Sequence, residues 1–178
     1  MFNESKVIEM AKKYFILLIT VLALVGADQL IKWWALETLA DGTIIDVLPG
    51  IFRFAYVENR GAAFGIFQGK TLMLAIVSVA VIVALVYFYK YIEDQKGIWM
   101  LRVSYIMVVA GAVGNQIDRL FRGFVVDMFE FYWFSFPVFN LADCFITVGG
   151  IAIVLLAMFR PQMVEWMFSS EKKEKKNG

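Results

Sequence analysis

The chain has 178 residues, is 61% hydrophobic and 16% aromatic, and has a mean hydropathy of +0.70, well above the roughly 45–50% apolar content of soluble domains. The net charge of +1 says nothing about partners, but the 17 Lys and Arg lie between apolar runs rather than in the clustered basic face of a nucleic-acid binder. With no histidine and the single cysteine Cys144, the chain excludes hydrolases that use a histidine base, disulfide frameworks and cysteine-rich metal sites within one chain.

After a polar start, YFILLITVLALVGA opens the first apolar run, interrupted by Asp28, Gln29 and Lys32 and resuming to about Leu39. Lys12 and Lys13 ahead of it and Gly26-Ala27 behind it give the outline of a cleavable signal peptide. The apolar pattern continues through Trp33, Trp34, Leu36 and Leu39, however, so the segment reads as a retained transmembrane helix over about 14–37. The next segment, from about Ala40 to Lys70, carries β-branched and aromatic residues around a Pro49-Gly50 turn. Phe52, Phe54 and Tyr56 fall on one face of an extended strand and Arg53 on the other, which predicts a small sheet on the membrane surface.

A second span covers 71–91, almost wholly apolar and ended by interfacial aromatics. A third covers 98–117, with Ala110, Gly111, Ala112 and Gly114 forming a small-residue patch that lets helices approach closely in lipid. A fourth covers 141–159, and the lysine-rich tail from about 170 to 178 reads as a disordered, solvated end of the kind that anionic lipid attracts. The expected fold is therefore an all-α membrane protein, a single domain over 1–178, with four transmembrane helices and a small β-rich extracytoplasmic segment between the first two. Eleven Lys and Arg flank one side and five the other, which places both termini in the cytoplasm.

Ionisable residues inside a bilayer cost roughly 2.5–3.5 kcal/mol at mid-depth and are functional candidates. Here Asp28, Lys32, Asn59, Arg60, Asn115, Asp118, Arg119, Asp127, Asn140 and Asp143 all fall toward the outer ends of the spans or in the outer loops. Each also has a structural reading. Asp28 and Lys32 have the spacing of a helical ion pair; Asn59-Arg60-Gly61 suits a turn; Asn140 and Asp143 suit a helix N-cap with an acid at its third position. Arg119 or Arg122 could neutralise Asp127. Cys144 lacks a cationic neighbour to activate it and reads as a small buried packing residue. A cap leaves Asp127, delivered by a hydrophobic loop, without explanation. Two carboxylates close together cannot both ionise cheaply, so one activates water while the other protonates a carbonyl: peptide hydrolysis without histidine or metal.

DQLIK (28–32), ENRGAAFG (58–65), GAVGNQIDRL (111–120), VVDMF (125–129) and FNLADCF (139–145), in that order, resemble the motifs of the lipoprotein signal peptidase (signal peptidase II) family. The resemblance spans about Tyr14 to Phe159. It implies an aspartyl intramembrane endopeptidase of the bacterial cytoplasmic membrane that cleaves the signal peptide of diacylglyceryl-modified prolipoproteins before the lipidated cysteine. It further implies Asp127 and Asp143 as the catalytic pair, with Asn59, Asn115, Arg119 and Asn140 positioning substrate and dyad and Asp28 supporting the site. A prolipoprotein substrate, membrane lipids as surroundings, a monomer and no metal or cofactor belong to the same expectation. The aromatic run Phe129–Phe136 departs from the family pattern. The competing readings are a small ion-coupled transporter, since intramembrane Asp and Arg also mark ion paths, and a non-catalytic scaffold associating through the Gly/Ala patch.

Overall fold

The computed structural model describes residues 4–61, 69–89, 92 and 98–161. The tail over 170–178, Lys90 and Lys96 of the predicted cytoplasmic flank, and positions 62–65 of the ENRGAAFG motif lie outside the described residues.

Four helices and three strands follow in the order α1 (Glu4–Leu39), β1 (Ile45–Leu48), β2 (Phe52–Asn59), α2 (Thr71–Phe88), α3 (Trp99–Phe121), β3 (Val125–Phe131) and α4 (Leu141–Phe159). All four helices are long and apolar enough to cross a membrane. At 1.5 Å per residue, α2 and α4 span about 27 and 28 Å, close to the roughly 30 Å hydrocarbon core. The expected bounds hold for α4. The second helix stops at Phe88 rather than 91, and the third continues to Phe121 rather than 117, because GNQIDRLF keeps the helical backbone although its side chains turn polar. The first is much longer than 14–37, reaching about 54 Å over Glu4–Leu39. Its last turns support the sheet: Ala35 and Leu39 are fully buried against Val126 and Met128. Asp28 and Lys32 thus lie just below the sheet.

The sheet differs from expectation in one respect that matters. It is not confined to the segment between the first two helices. β1 and β2 form the predicted hairpin around the Pro49-Gly50 turn, with Gly50 at φ +81, a conformation that suits glycine. A third strand, β3, comes from the connection between α3 and α4 and pairs antiparallel with β2 to give the order β1-β2-β3. What reads in sequence as a hydrophobic loop is therefore a strand, and Asp127 lies on it, opposite Val57. The alternation of VVDMFEF is blurred because both faces of its first half are covered: Val125, Val126, Asp127 and Met128 are all buried. A register shift between Phe54 and Val57 kinks the sheet beside Asp127. The predicted face of β2 is present, with Trp34 edge-on to Phe54 at 5.2 Å, and Arg53 on the other face pairs with Glu130 at 2.6 Å.

α3 is the central helix. It packs against α1, α2 and α4, whereas no broad contact joins α2 to α4 among the described residues. The small-residue patch does what its composition predicts: a Cβ on Gly111 would collide with the Ala142 carbonyl and Ile146, and one on Gly114 would sit 2.6 Å from the Asp28 carboxylate. α4 answers with Gly149, whose absent Cβ makes room for the Ser104 carbonyl. At the far end from the sheet, Lys13 donates to the Ile92 carbonyl and lies 5.3 Å from the Tyr89 ring centre, tying α1 to the end of α2.

Candidate active site

Four elements deliver the polar residues to one place beneath the sheet. α4 begins with a capping box. The Asn140 side chain accepts from the Asp143 backbone N–H at 3.0 Å, and the Asp143 carboxylate accepts from the Asn140 N–H at 3.2 Å. The cap does not exhaust Asn140. With its oxygen committed to a backbone N–H, its Nδ2 faces the other way and donates to Asp127 Oδ1 at 2.6 Å and to Asn115 Oδ1 at 3.1 Å. Structural cap and link between the two acids are thus one residue.

The same double use occurs at Asn59. Its oxygen accepts from the Gly61 N–H at 3.0 Å, closing the turn the sequence suggested, while its Nδ2 donates to Asp127 Oδ2 at 2.9 Å. Asn115, on α3, donates to Asp143 Oδ1 at 2.8 Å. Each carboxylate therefore accepts two hydrogen bonds from fixed N–H donors, and neither carries a direct ion pair among the described residues. Asp127, Asp143, Asn59, Asn115 and Arg119 all line one cavity of about 810 Å³. Asp127 is nevertheless only 1% exposed, and burial, then the negative charge of Asp143, pushes its carboxyl up to about 7.

Neither Arg119 nor Arg122 neutralises Asp127 by direct contact. Arg122 pairs with Asp118 instead, and also reaches Gln29 Oε1 at 3.0 Å. Arg119 makes one long bond, to the Asn115 carbonyl at 3.5 Å, and its buried Nε has no partner, which leaves donor capacity at the cavity wall. Asp28 does not reach the cavity. It accepts from Lys32 at 3.0 Å and from the Ala142 N–H at 2.9 Å, fixing the first turn of α4 from below.

Cys144 is half-buried and lines the cavity, contrary to the expectation of a buried packing residue. The first turn of α4 faces the opening, so the residue after Asp143 shares its exposure. Gln29, not among the candidate site residues, joins the network: its amide contacts Asp28, Asp118 and the Gly114 carbonyl, each at 3.2 Å. Its signal was a second polar side chain directly after Asp28 in an apolar run. Ser78 and Thr147, hydroxyls in otherwise apolar spans, also line the cavity, as do Glu58 and Arg60 at its rim. Among the described residues no group of carboxylates and thiols could hold a metal ion.

The cavity walls include Leu74, Val77 and Val81 of α2 and Ile146 and Val148 of α4. Val77, Val81 and Val148 are themselves exposed. The cavity thus continues into the apolar outer surface through the gap between those helices. Acids clasped by amides, beside an apolar entrance, suit hydrolysis of a bond in an apolar peptide.

The chain matches the family profile described as signal peptidase (SPase) II over residues 20–160. It is 39% identical over 153 residues to the lipoprotein signal peptidase of Streptococcus pneumoniae, covering 85% of this chain and 97% of that one. The lipoprotein signal peptidase of Clostridium acetobutylicum is 42% identical over 137 residues, covering 75% and 87%. Two solved structures described as bacterial membrane enzymes superpose with a TM-score of 0.70 at 32% and 33% identity, covering 80% and 82% of this chain and 87% and 93% of theirs. Sequence and fold agree across most of the chain, which belongs to the signal peptidase II family, proteases of the aspartic class.

Proposed function

We propose that this chain is an endopeptidase of the bacterial cytoplasmic membrane that cuts the signal peptide from diacylglyceryl-modified prolipoproteins before the lipidated cysteine, using Asp127 and Asp143. The observation that carries the reading is the pair of carboxylates on one cavity wall, Asp127 buried and Asp143 half-buried, joined through Asn140, in a chain of this family. It works as a monomer and a single domain, with both termini cytoplasmic and the site near the outer leaflet. The Lys and Arg distribution favours that orientation.

In the working state one proton is shared by the pair, and Asp127, buried and beside a second acid, is the group that holds it. A water between the carboxylates gives a proton to Asp143 as its oxygen attacks the scissile carbonyl carbon. Asp127 gives its proton to the carbonyl oxygen, so a neutral diol forms. As the C–N bond breaks, the nitrogen takes the proton from Asp143 and Asp127 recovers one from the diol, leaving a carboxylic acid and a free amine. The spare donors of Arg119 hold the substrate backbone. The apolar signal segment lies between α2 and α4, and the polar rim at Glu58 and Arg60 faces the chain beyond the cut.

Asp127→Asn and Asp143→Asn tested on a diacylglyceryl-modified prolipoprotein in detergent are each expected to lose activity by at least 10³-fold while melting like the parent. Cleavage at the parent rate by either folded variant would rule the pair out.

A further inference from the structure

We infer that Lys32 is a positioning residue for the proposed dyad: its ammonium fixes the direction of the Asn115 amide, whose donor faces Asp143. The inference rests on the dyad reading above. An ammonium has three donors and no acceptor. Those of Lys32 meet three acceptors: Asp28 Oδ2 at 3.0 Å, Asp118 Oδ2 at 2.9 Å and Asn115 Oδ1 at 2.8 Å, with the side chain wholly buried. The first two contacts balance charge. The third does something else. An amide can face its neighbours either way round, and only fixed partners decide which end is the donor.

At Asn115 the oxygen is held by Lys32 on one side and by Asn140 Nδ2 on the other. The Asn115 Nδ2 is thereby left to point at Asp143. Asn140 is set from its own cap and hands its remaining donor to Asp127. The Asn115 oxygen thus accepts from both Lys32 and Asn140, and its amide passes the direction on to Asp143. Flipping Asn115 would put its Nδ2 against the Lys32 ammonium and its oxygen against a carboxylate, so Lys32 excludes the flipped state.

The charge acts along the same path. The groups facing Asp127 are Asn59 from β2, Asn140 and Asp143 from the start of α4, and, at longer range, Lys32 from α1 and Arg119 from α3. Lys32 opposes the upward push of burial and Asp143 on Asp127. Its loss therefore raises the pH at which Asp127 gives up its proton. Lys32 does not line the cavity, so it acts without touching substrate.

Lys32→Met alone strands the buried Asp28 carboxylate and can fail to fold, so the deciding variant is Lys32→Met with Asp28→Asn, which leaves Asp118 paired with Arg122. With a lipid-modified prolipoprotein in detergent, this variant is compared with the parent and with Asp28→Asn alone, across pH 5–9. Relative to Asp28→Asn, the double variant is expected to lose at least tenfold in kcat, to keep KM within twofold, and to move the alkaline limb of its pH profile upward by half a unit or more. A folded double variant with the kcat and the pH limbs of Asp28→Asn overturns the inference, as does a loss confined to KM. Asp127→Asn in the same assay separates the two levels. If it is inactive, the outcome speaks to Lys32; if it is active, the dyad reading itself has failed.

Discussion

At the scale of single residues, the asparagines do two jobs each, and a substitution can separate them. Asn140→Ser keeps a side-chain oxygen that caps α4, and Ser, Asp and Asn are close in N-cap strength, within a range of about 1 kcal/mol. It removes the amide that donates to Asp127 and Asn115. The expected outcome is a melting temperature within a few degrees of the parent and a fall in kcat of about 10²-fold, the scale of losing one preorganised donor. Parent-like activity would show that the cap is the whole role. The pH dependence is argued here too. Asp127 is pushed up to about 7, so it keeps its proton below that pH and gives it up above. A mechanism needing one proton on the pair therefore predicts kcat declining as pH rises through about 7, measured on a substrate whose own groups do not titrate there. Both roles were named from sequence as alternatives, cap or catalysis, because spacing along one helix reveals a cap while nothing local reveals that Asp127 arrives within hydrogen-bond reach of the same side chain.

At the scale of elements, the α3–α4 contact is set by absent side chains. A Cβ at Gly149 would lie 2.6 Å from the Ser104 carbonyl and 2.9 Å from Val108 Cγ2, and one at Gly111 would meet the Ala142 backbone and Ile146. The helices must separate to admit either. Gly149→Ala is expected to destabilise by about 1–3 kcal/mol. Gly150→Ala, with nothing within 4 Å of its Cβ, serves as the control and is neutral or slightly stabilising. Thermal melting of both in the same detergent decides the comparison. Helices of this kind are legible because membrane spans declare themselves by long apolar runs, and the Gly111-Gly114 patch by its small residues. β3 was not legible: with its first half buried on both faces, VVDMFEF loses the alternation that marks a half-exposed strand. Its partner lies some seventy residues away in sequence, with Val57 opposite Asp127. The strand matters for function, since pairing with β2 fixes Asp127 where a loop would let it wander.

At the scale of the whole molecule, the buried polar network gathers at the end covered by the sheet. There Asp28 and Asp118 balance Lys32 and Arg122. Such groups are costly to bury and strongly destabilising to unbalance, by about 3–5 kcal/mol when one partner is removed. Concentrating them under a sheet leaves α2 and α4 free to present apolar walls on either side of the cavity. If a signal peptide reaches the acids through that gap, its affinity depends on the width of the entrance rather than on the chemistry of the acids. Ser78 is half-buried on the α2 wall, on a different element from either acid, and small enough that a large ring there would narrow the passage. Ser78→Trp is expected to raise KM for a full-length lipid-modified prolipoprotein by at least tenfold, while kcat falls by less than threefold, the pattern of lost binding shared by ground and transition states. A short lipopeptide that carries the scissile bond but lacks the long apolar segment has no need of the gap, and its kcat/KM is expected to change by less than threefold. Equal losses for both substrates would mean that the ring disturbs the acids, and unchanged KM for the long substrate would mean that the signal segment enters by another face.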